Sequence, residues 1–197
     1  MEFPQVEDEA LEPGELSQDP QSLKRFLVDL LETIILAVVL FFAINAVSAR
    51  VRVDGFSMVP TLQNGEYVLV NRLAYMNKIP ERGDIIVFVS PQVTSLDLIK
   101  RVIGLPGDKV NISNGVVQVN GQVLDEDYIA AAPLYNGEWD VPEDNLFVLG
   151  DNRNDSSDSH AWGLLPVENV IGKAILIYWP IPEWTLIEHV ESVAAVQ

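Results

Sequence analysis

The chain has 197 residues with 29 Asp and Glu against 12 Lys and Arg, so its formal net charge is −17. This length fits one domain with a small insert, and a hydrophobic content of 48% excludes a disordered or fibrous chain. The acidic balance argues against nucleic acid as a partner, because phosphate binding needs clustered Lys and Arg. With no Cys and only two His, disulfides and thiol catalysis are excluded, and we expect neither a metal site nor a cofactor.

Residues 1–22 carry much of the excess negative charge. The first 20 residues include seven acidic side chains and three prolines but no basic residue. They show no hydrophobic periodicity, and such a composition cannot bury enough apolar surface to fold. We therefore predict that residues 1–22 form an acidic disordered tail.

A long apolar run follows the tail and begins after Lys24 and Arg25. Residues 33–49 contain no charged side chain. A helix needs about 20 apolar residues to cross the hydrocarbon core of a bilayer. We therefore predict a transmembrane anchor over residues 23–49, which makes the lipid bilayer a partner of the chain.

Two other interpretations of the apolar run stay open. Val47-Ser48-Ala49 satisfies the small-residue pattern of a signal-peptide cleavage site, in which case the run is removed. A buried helix of a soluble domain is the other interpretation, although a helix that is apolar all round suits one small domain poorly. Basic residues flank the run on both sides, so charge alone does not orient it in a membrane.

The rest of the chain has the pattern of a β-domain. Runs rich in Val and Ile alternate with turn signals such as Asn64-Gly65, Arg82-Gly83 and Pro106-Gly107. We predict a mainly β fold, with an amino-terminal transmembrane helix followed by an antiparallel β-sheet domain that carries a small β insert. The predicted strands are 67–70, 85–89, 98–103, 146–149 and 174–179.

The insert has the clearest local pattern. Residues 109–124 contain two Asn-Gly pairs between alternating apolar stretches, which predicts a meander of tight hairpins. An acidic segment with Pro and Gly follows. We predict a small β insert over 109–145, inside a domain of residues 50–197 whose main part comprises 50–108 and 146–188.

Four segments are more specific than packing requires: GFSMVPTL (55–62), RGDIIVF (82–88), IKRVIGLPGD (99–108) and GDNRNDSSDSHAWG (150–163). Ser57 lies in a turn with Gly55, where a serine is more often a hydrogen-bonding turn residue than a nucleophile. Lys100 lies inside a predicted strand, where a lysine ordinarily faces water. Neither residue indicates catalysis by itself.

Together these segments resemble bacterial type I signal peptidases, the membrane-bound serine endopeptidases that remove signal peptides. All four occur in the family's order behind a single amino-terminal span, and the resemblance covers residues 24–180. It implies a single-pass protein of the cytoplasmic membrane with a cytoplasmic amino terminus and an extracytoplasmic peptidase domain. The expected partners are preproteins with signal peptides, cut after Ala-x-Ala segments, and the translocation machinery.

The resemblance also implies roles for individual residues. Ser57 matches the nucleophile and Lys100 the general base, and Ser156 matches a serine that hydrogen-bonds the lysine amine. Asp151 and Arg101 match a structural ion pair near the site. The remaining matches are Asp158 as a second supporting carboxylate, the backbone N–H of Ser57 in the oxyanion hole, and Val53, Met58, Leu98 and Ile99 as walls of the substrate pocket.

The chemistry of a Ser–Lys dyad is consistent with these residue types. A serine hydroxyl needs an adjacent base to attack an amide, and a lysine with its ordinary pKa of about 10.4 is protonated at neutral pH. Burial disfavours the ammonium and lowers the pKa. Apolar neighbours such as Ile99, Val102 and Met58 can supply that dry surrounding. Gly55 has no side chain to join the oxyanion hole, so we expect that hole to use backbone donors.

Alternative sites are weaker. A triad of Ser57, His160 and Asp158 has the right residue types, but a triad is defined by its geometry, and His160 stands where the resembled family usually carries Arg. A calcium loop at 151–162 lacks the required ligands, because Arg153 occupies the third position and Ser156 replaces the Gly.

Two other functions compete with that of a signal peptidase: a self-cleaving repressor-type peptidase and an inactive membrane-tethered scaffold.

Overall fold

The computed structural model describes residues 20–190, with side chains from Leu23 onward. The chain divides into two units, residues 1–43 and residues 44–197. The predicted tail falls almost wholly outside the described residues.

Helix α1 (Pro20–Val47) contains the apolar run. Its stretch Leu23–Val47 is long and apolar enough to cross a membrane, with a mean hydropathy of 2.6, and none of it is buried in the protein. Proline is tolerated in the first turn of a helix because its missing N–H is not needed there. The helix differs from the predicted anchor at both ends, since it begins at Pro20, and Ser48 and Ala49 already belong to a strand.

The second unit is built on an antiparallel sheet, which confirms the predicted fold class. Its strands are β1 (Ser48–Arg52), β2 (Tyr67–Asn71), β3 (Ile85–Val89), β4 (Asp97–Gly104), β9 (Asn145–Leu149), β10 (Leu165–Pro166), β11 (Val170–Trp179) and β12 (Thr185–Leu186). Their order in the sheet is β1-β2-β11-β3-β4-β9-β10, and β12 pairs with β11. All five predicted strands are present; four differ from the prediction by at most one residue at either end, and β11 begins four residues earlier than predicted.

A second, four-stranded antiparallel sheet has the order β7-β6-β5-β8. Its strands are β5 (Lys109–Ser113), β6 (Val116–Val119), β7 (Gln122–Val123) and β8 (Gly137–Asp140). Asn114-Gly115 and Asn120-Gly121 form its two tight turns, and all four residues have positive φ, as type I′ turns require. This sheet lies within the range expected for the insert.

Buried side chains form three clusters that follow the two-residue period of the strands. On β3, Ile85 and Val87 belong to one cluster, while Ile86 and Phe88 belong to another. The third cluster joins the insert to the main sheet through Ile103 and Phe147, among other residues. β4 is buried on both faces from Ile99 to Gly104, which is why a lysine on this strand is withdrawn from water.

Short elements connect the last strands. Helix α2 (Ser159–Trp162) is one turn long, and the side chain of Asp158 caps it by accepting a hydrogen bond from the His160 N–H. Two 3₁₀ turns, Val167–Asn169 and Ile181–Glu183, precede β11 and β12. The segment between β9 and α2 is the one that reaches the loop containing Ser57.

Candidate active site

Ser57 and Lys100 are in direct contact. Ser57 lies in the loop between β1 and β2, and Lys100 lies on β4. Lys100 Nζ donates a hydrogen bond to Ser57 Oγ at 2.7 Å and another to the carbonyl oxygen of Ile99 at 2.9 Å. Residues that are 43 positions apart are thus brought within hydrogen-bonding distance.

The environment of Lys100 favours its neutral form. Its side chain is only 3% exposed, and this burial lowers its pKa from about 10.5 to about 8. The carboxylates of Asp158 and Asp151 act in the opposite direction, because a nearby negative charge stabilises the ammonium. Desolvation is the larger effect, so roughly a tenth of the amine is unprotonated at pH 7 and about half at pH 8.

The loop that carries Ser57 is held from two sides. The N–H of Asn152 donates to the carbonyl oxygen of Ser57 at 3.0 Å, and Asn152 Nδ2 donates to the carbonyl oxygen of Phe56 at 3.2 Å. Gly55 has a φ of +103°, a conformation that glycine adopts without strain. Its N–H donates to Asn64 Oδ1 at 3.0 Å.

Gly150 lies directly against this loop. A Cβ atom at this position would overlap both Ser156 Oγ and the carbonyl oxygen of Ser57. Gly150 and Asn152 both belong to the segment 150–163, but neither of them was predicted to have a role. Their presence in a Gly-Asp-Asn turn is the only signal that was available, and such turns are common.

Arg101 and Asp151 form a buried ion pair next to Lys100. Arg101 Nε and Nη2 donate to the two carboxylate oxygens of Asp151 at 2.8 and 2.7 Å, and both side chains are essentially unexposed. Arg101 Nη1 also donates to the carbonyl oxygen of Gly83 at 3.0 Å, and the guanidinium lies 4.0 Å from the ring centre of Tyr128. The pair therefore ties β4 to the segment that holds Ser57.

Asp158 is fully buried and binds backbone and side-chain donors. Its Oδ2 accepts the N–H of Gly150 at 2.9 Å, and its Oδ1 lies 2.6 Å from His160 Nδ1. The imidazole of His160 stacks on Tyr135 at 3.9 Å between ring centres. Among the described hydrogen bonds, none joins His160 to Ser57, so the geometry does not form the triad considered above.

Ser156 differs from expectation in its contacts. Its Oγ is buried and has no hydrogen-bond partner among the described residues. The hydrogen bond to Lys100 that the resemblance implies is therefore not formed in this structure, because the amine binds Ser57 and Ile99 instead. Ser156 remains beside the site through its contact with Gly150.

Three of the four predicted wall residues come together. Val53, Met58 and Ile99 are buried in one cluster. Leu98 instead packs against the cluster on the opposite side of β4, because successive strand residues point to opposite faces. The structure thus separates Leu98 from the other three.

One group of potential metal ligands occurs among the described residues. It consists of Glu81, Asp84 and His189. The Asp84 carboxylate already binds Lys173 Nζ, His189 Nδ1, the hydroxyl of Tyr75 and the N–H of Glu81. Asp84 is therefore part of an ion-pair network with Lys173.

Comparison with known proteins places the chain in a family of peptidases. The family model described as signal peptidase, peptidase S26, matches residues 27–179. The chain therefore belongs to the signal peptidase family S26.

Several proteins that are similar to the chain are named signal peptidases. The chain is 44% identical over 162 residues to a probable signal peptidase I-2 of Synechocystis sp., covering 79% of this chain and 74% of the relative. It is 44% identical over 164 residues to a signal peptidase I of Leptolyngbya laminosa, covering 79% of this chain and 81% of the relative. A signal peptidase I of Enterococcus faecalis V583, known from a crystal structure, is 35% identical with a TM-score of 0.46, covering 49% of this chain and 97% of the other.

Proposed function

We propose that this signal peptidase cuts exported preproteins after Ala-x-Ala segments through a Ser57–Lys100 dyad and an acyl-enzyme. The observation that carries the proposal is the 2.7 Å hydrogen bond between the buried amine of Lys100 and the hydroxyl of Ser57. A nucleophile within hydrogen-bond reach of a base is the arrangement that covalent catalysis needs.

The two residues divide the proton transfers between them. The neutral amine of Lys100 takes the proton from Ser57 Oγ while Oγ forms a bond to the carbonyl carbon of the substrate. The resulting ammonium then gives the proton to the leaving amine as the peptide bond breaks. A water molecule, activated by the neutral amine, attacks the ester and restores Ser57.

The oxyanion of the tetrahedral intermediate needs donors at the nucleophile. The backbone N–H of Ser57 makes no hydrogen bond to the described part of the chain, so it is free to bind that oxygen. The two hydrogen bonds that Asn152 donates to the carbonyl oxygens of Ser57 and Phe56 hold the loop and so fix the direction of this N–H. Gly55 adds no side-chain donor, so we expect backbone groups to supply the hole.

The buried carboxylates act as positioning groups in this proposal. Asp151 fixes Arg101 and thereby the part of β4 that carries Lys100. Asp158 fixes the N–H of Gly150 and thereby the turn against Ser57. Ser156 is the positioning hydroxyl that binds the Lys100 amine once Ser57 Oγ has formed the ester and no longer accepts from it.

An extended substrate segment can bind to open strand edges. β1 is the terminal strand of the sheet, and β4 pairs with β9 only from Arg101 onward. Residues 97–100 therefore leave one edge of β4 unpaired among the described strands. Main-chain hydrogen bonds from such edges give affinity to any sequence, whereas side-chain pockets select residues. We expect the wall formed by Val53, Met58 and Ile99 to favour small side chains.

The membrane arrangement is part of the proposal. We place α1 across the cytoplasmic membrane as a retained anchor, with the amino terminus in the cytoplasm and residues 50–197 outside. Exported preproteins present their cleavage segments on that side, next to the translocation machinery. The orientation is derived from this requirement, since the basic residues around the apolar run do not define it.

The test is cleavage of a preprotein with an Ala-x-Ala segment by the full-length chain in detergent. Ser57→Ala and Lys100→Met should each remove activity, because neither member of a dyad works alone. The exposed Ser157 and Lys109 provide matched controls, and Ser157→Ala and Lys109→Met should keep full activity. A folded Lys100→Met protein that retains more than a few per cent of the normal rate would overturn the assignment of Lys100.

A further inference from the structure

Three arginines of the β-domain have no side-chain partner among the described residues: Arg50, Arg52 and Arg72. The other basic side chains after residue 49 are all bound. Six of them form ion pairs with Asp or Glu, and Lys100 binds Ser57. In a chain with 29 acidic and 12 basic residues, basic side chains without a partner are unexpected, and these three lie together on β1 and directly after β2.

Two of the three line a cavity. Arg50 and Arg72 border a cavity of about 320 Å³ at the start of β1. Ala49, Val51 and Ile171 form an apolar part of its lining, and Asp97 is the single acidic residue there. With two guanidinium groups and one carboxylate, the charged side chains that line it sum to one positive charge.

The position of the cavity follows from the chain itself. The N–H of Arg72 donates to the carbonyl oxygen of Val47, the last residue of α1, at 3.0 Å. Ser48 Oγ donates to the carbonyl oxygen of Ile44 at 2.8 Å, and β1 begins at the residue directly after the end of α1. A strand rises about 3.3 Å per residue, so the backbone of Arg50 lies about 10 Å from the helix end. If α1 crosses a membrane, Arg50 therefore lies at the depth of the lipid headgroups.

We propose that this cavity binds the phosphate group of an anionic membrane phospholipid, held by Arg50 and Arg72. This inference depends on the proposed membrane crossing of α1 and not on the Ser57–Lys100 dyad. A guanidinium group binds phosphate oxygens through paired N–H donors, and a phosphodiester with one negative charge complements a lining with one positive charge. The apolar side chains of the lining suit the adjoining glycerol and the first carbons of the acyl chains.

The experiment uses the full-length chain in dodecyl maltoside micelles that contain equal amounts of phosphatidylglycerol and phosphatidylcholine with matching acyl chains. Native mass spectrometry then gives the ratio of the two lipids that remain bound. A basic residue at an anionic lipid surface contributes about fivefold in binding, so the double variant Arg50→Gln/Arg72→Gln should lower the ratio about 25-fold. Asp97→Asn removes the opposing charge and should raise the ratio.

Arg52→Gln is the matched control, because Arg52 is also unpaired on β1 but does not line the cavity. It should leave the ratio nearly unchanged. An equal fall in Arg52→Gln, or no fall in the double variant, would overturn the proposal. Thermal unfolding of each variant checks that the domain is folded.

A second arm distinguishes the sources of phosphate. Inorganic phosphate at millimolar concentration should not displace the lipid, because it lacks the glycerol and acyl groups. Displacement would mean that the cavity binds the free ion, and the proposal would be wrong. An unchanged lipid ratio combined with a higher KM for preprotein in the double variant would assign the cavity to the substrate instead. Neither outcome affects the assignment of Ser57 and Lys100.

Discussion

Asp158 and His160 are joined by a 2.6 Å contact between Oδ1 and Nδ1, and the second oxygen of the same carboxylate accepts the N–H of Gly150. The imidazole is therefore engaged with a positioning carboxylate and not with Ser57. This relationship gives His160 a structural place in the site. It also leads to a test that separates lysine from histidine as the base.

The pH dependence of cleavage identifies the base. Because burial lowers the pKa of Lys100 to about 8, kcat/KM should rise with pH as the ammonium loses its proton, with the midpoint near that value. A histidine base would place the rise near its ordinary pKa of about 6.5. The pH–rate profiles of the wild type and His160→Gln measure this directly. Loss of activity in folded His160→Gln would contradict the dyad, whereas an acid limb that stays well above the range of histidine agrees with it.

Ser156→Ala should weaken cleavage without abolishing it. Its hydroxyl is buried and has no hydrogen-bond partner in the described part of the chain, so it is available to bind the Lys100 amine after Ser57 is acylated. Its removal should lower kcat and move the acid limb of the pH profile, while the neighbouring exposed Ser157→Ala changes neither. If kcat and the pH profile of Ser156→Ala coincide with those of the wild type, Ser156 is only a packing residue.

Asp151→Asn should destabilise the domain strongly. The carboxylate is fully buried and binds two nitrogens of Arg101, and removing one partner of a buried pair leaves an uncompensated charge that costs about 3–5 kcal/mol. Chemical denaturation measures the change in the free energy of unfolding. The exposed pair of Lys109 and Glu138 is the control, and Glu138→Gln should have a far smaller effect. Equal effects of the two variants would show that the buried pair does not stabilise the fold.

Gly150→Ala should reduce cleavage through displacement of Ser57. The added methyl group overlaps Ser156 Oγ and the carbonyl oxygen of Ser57, so the loop must shift, and a small misplacement of a nucleophile costs about 100-fold in rate. Gly121→Ala is the comparison, because its Cβ meets no atom within 4 Å although its φ of +81° is strained. It should lower stability and leave kcat unchanged. Normal kcat in Gly150→Ala would contradict the tight packing of this turn against Ser57.

Alkaline carbonate extraction tests the anchor. The full-length chain should stay in the membrane pellet, because Leu23–Val47 is long and apolar enough to cross a bilayer. A soluble chain that begins at Arg50 would instead show cleavage after Val47-Ser48-Ala49. Sequencing the amino terminus of the extracted protein distinguishes the two outcomes.

Local signals in the sequence were sufficient for much of the fold. The strands with Val and Ile runs and the two Asn-Gly hairpins depend on neighbouring residues. Side-chain periodicity therefore predicted the strands, and the preference of Asn-Gly pairs for positive φ predicted the turns. The ends of α1 were less accurate, because Ser48 and Ala49 are small and uncharged and fit the end of a helix as well as the start of β1. The pairing of Ser48 with Asn71 and of Ala49 with Val70 on β2 places both residues in β1.

The amino-acid sequence by itself determined which residue types are available: one apolar span, a serine in a glycine-containing turn, a lysine in an apolar strand and the buried charges around them. Only the tertiary structure decided which of these residues meet. β11 lies between β2 and β3, and the turn after β9 packs on the Ser57 loop; both are long-range contacts. The contact of Lys100 with Ser57 and the lack of a hydrogen-bond partner for Ser156 among the described residues depend on that pairing, because strand periodicity specifies alternating faces but not the neighbouring strand.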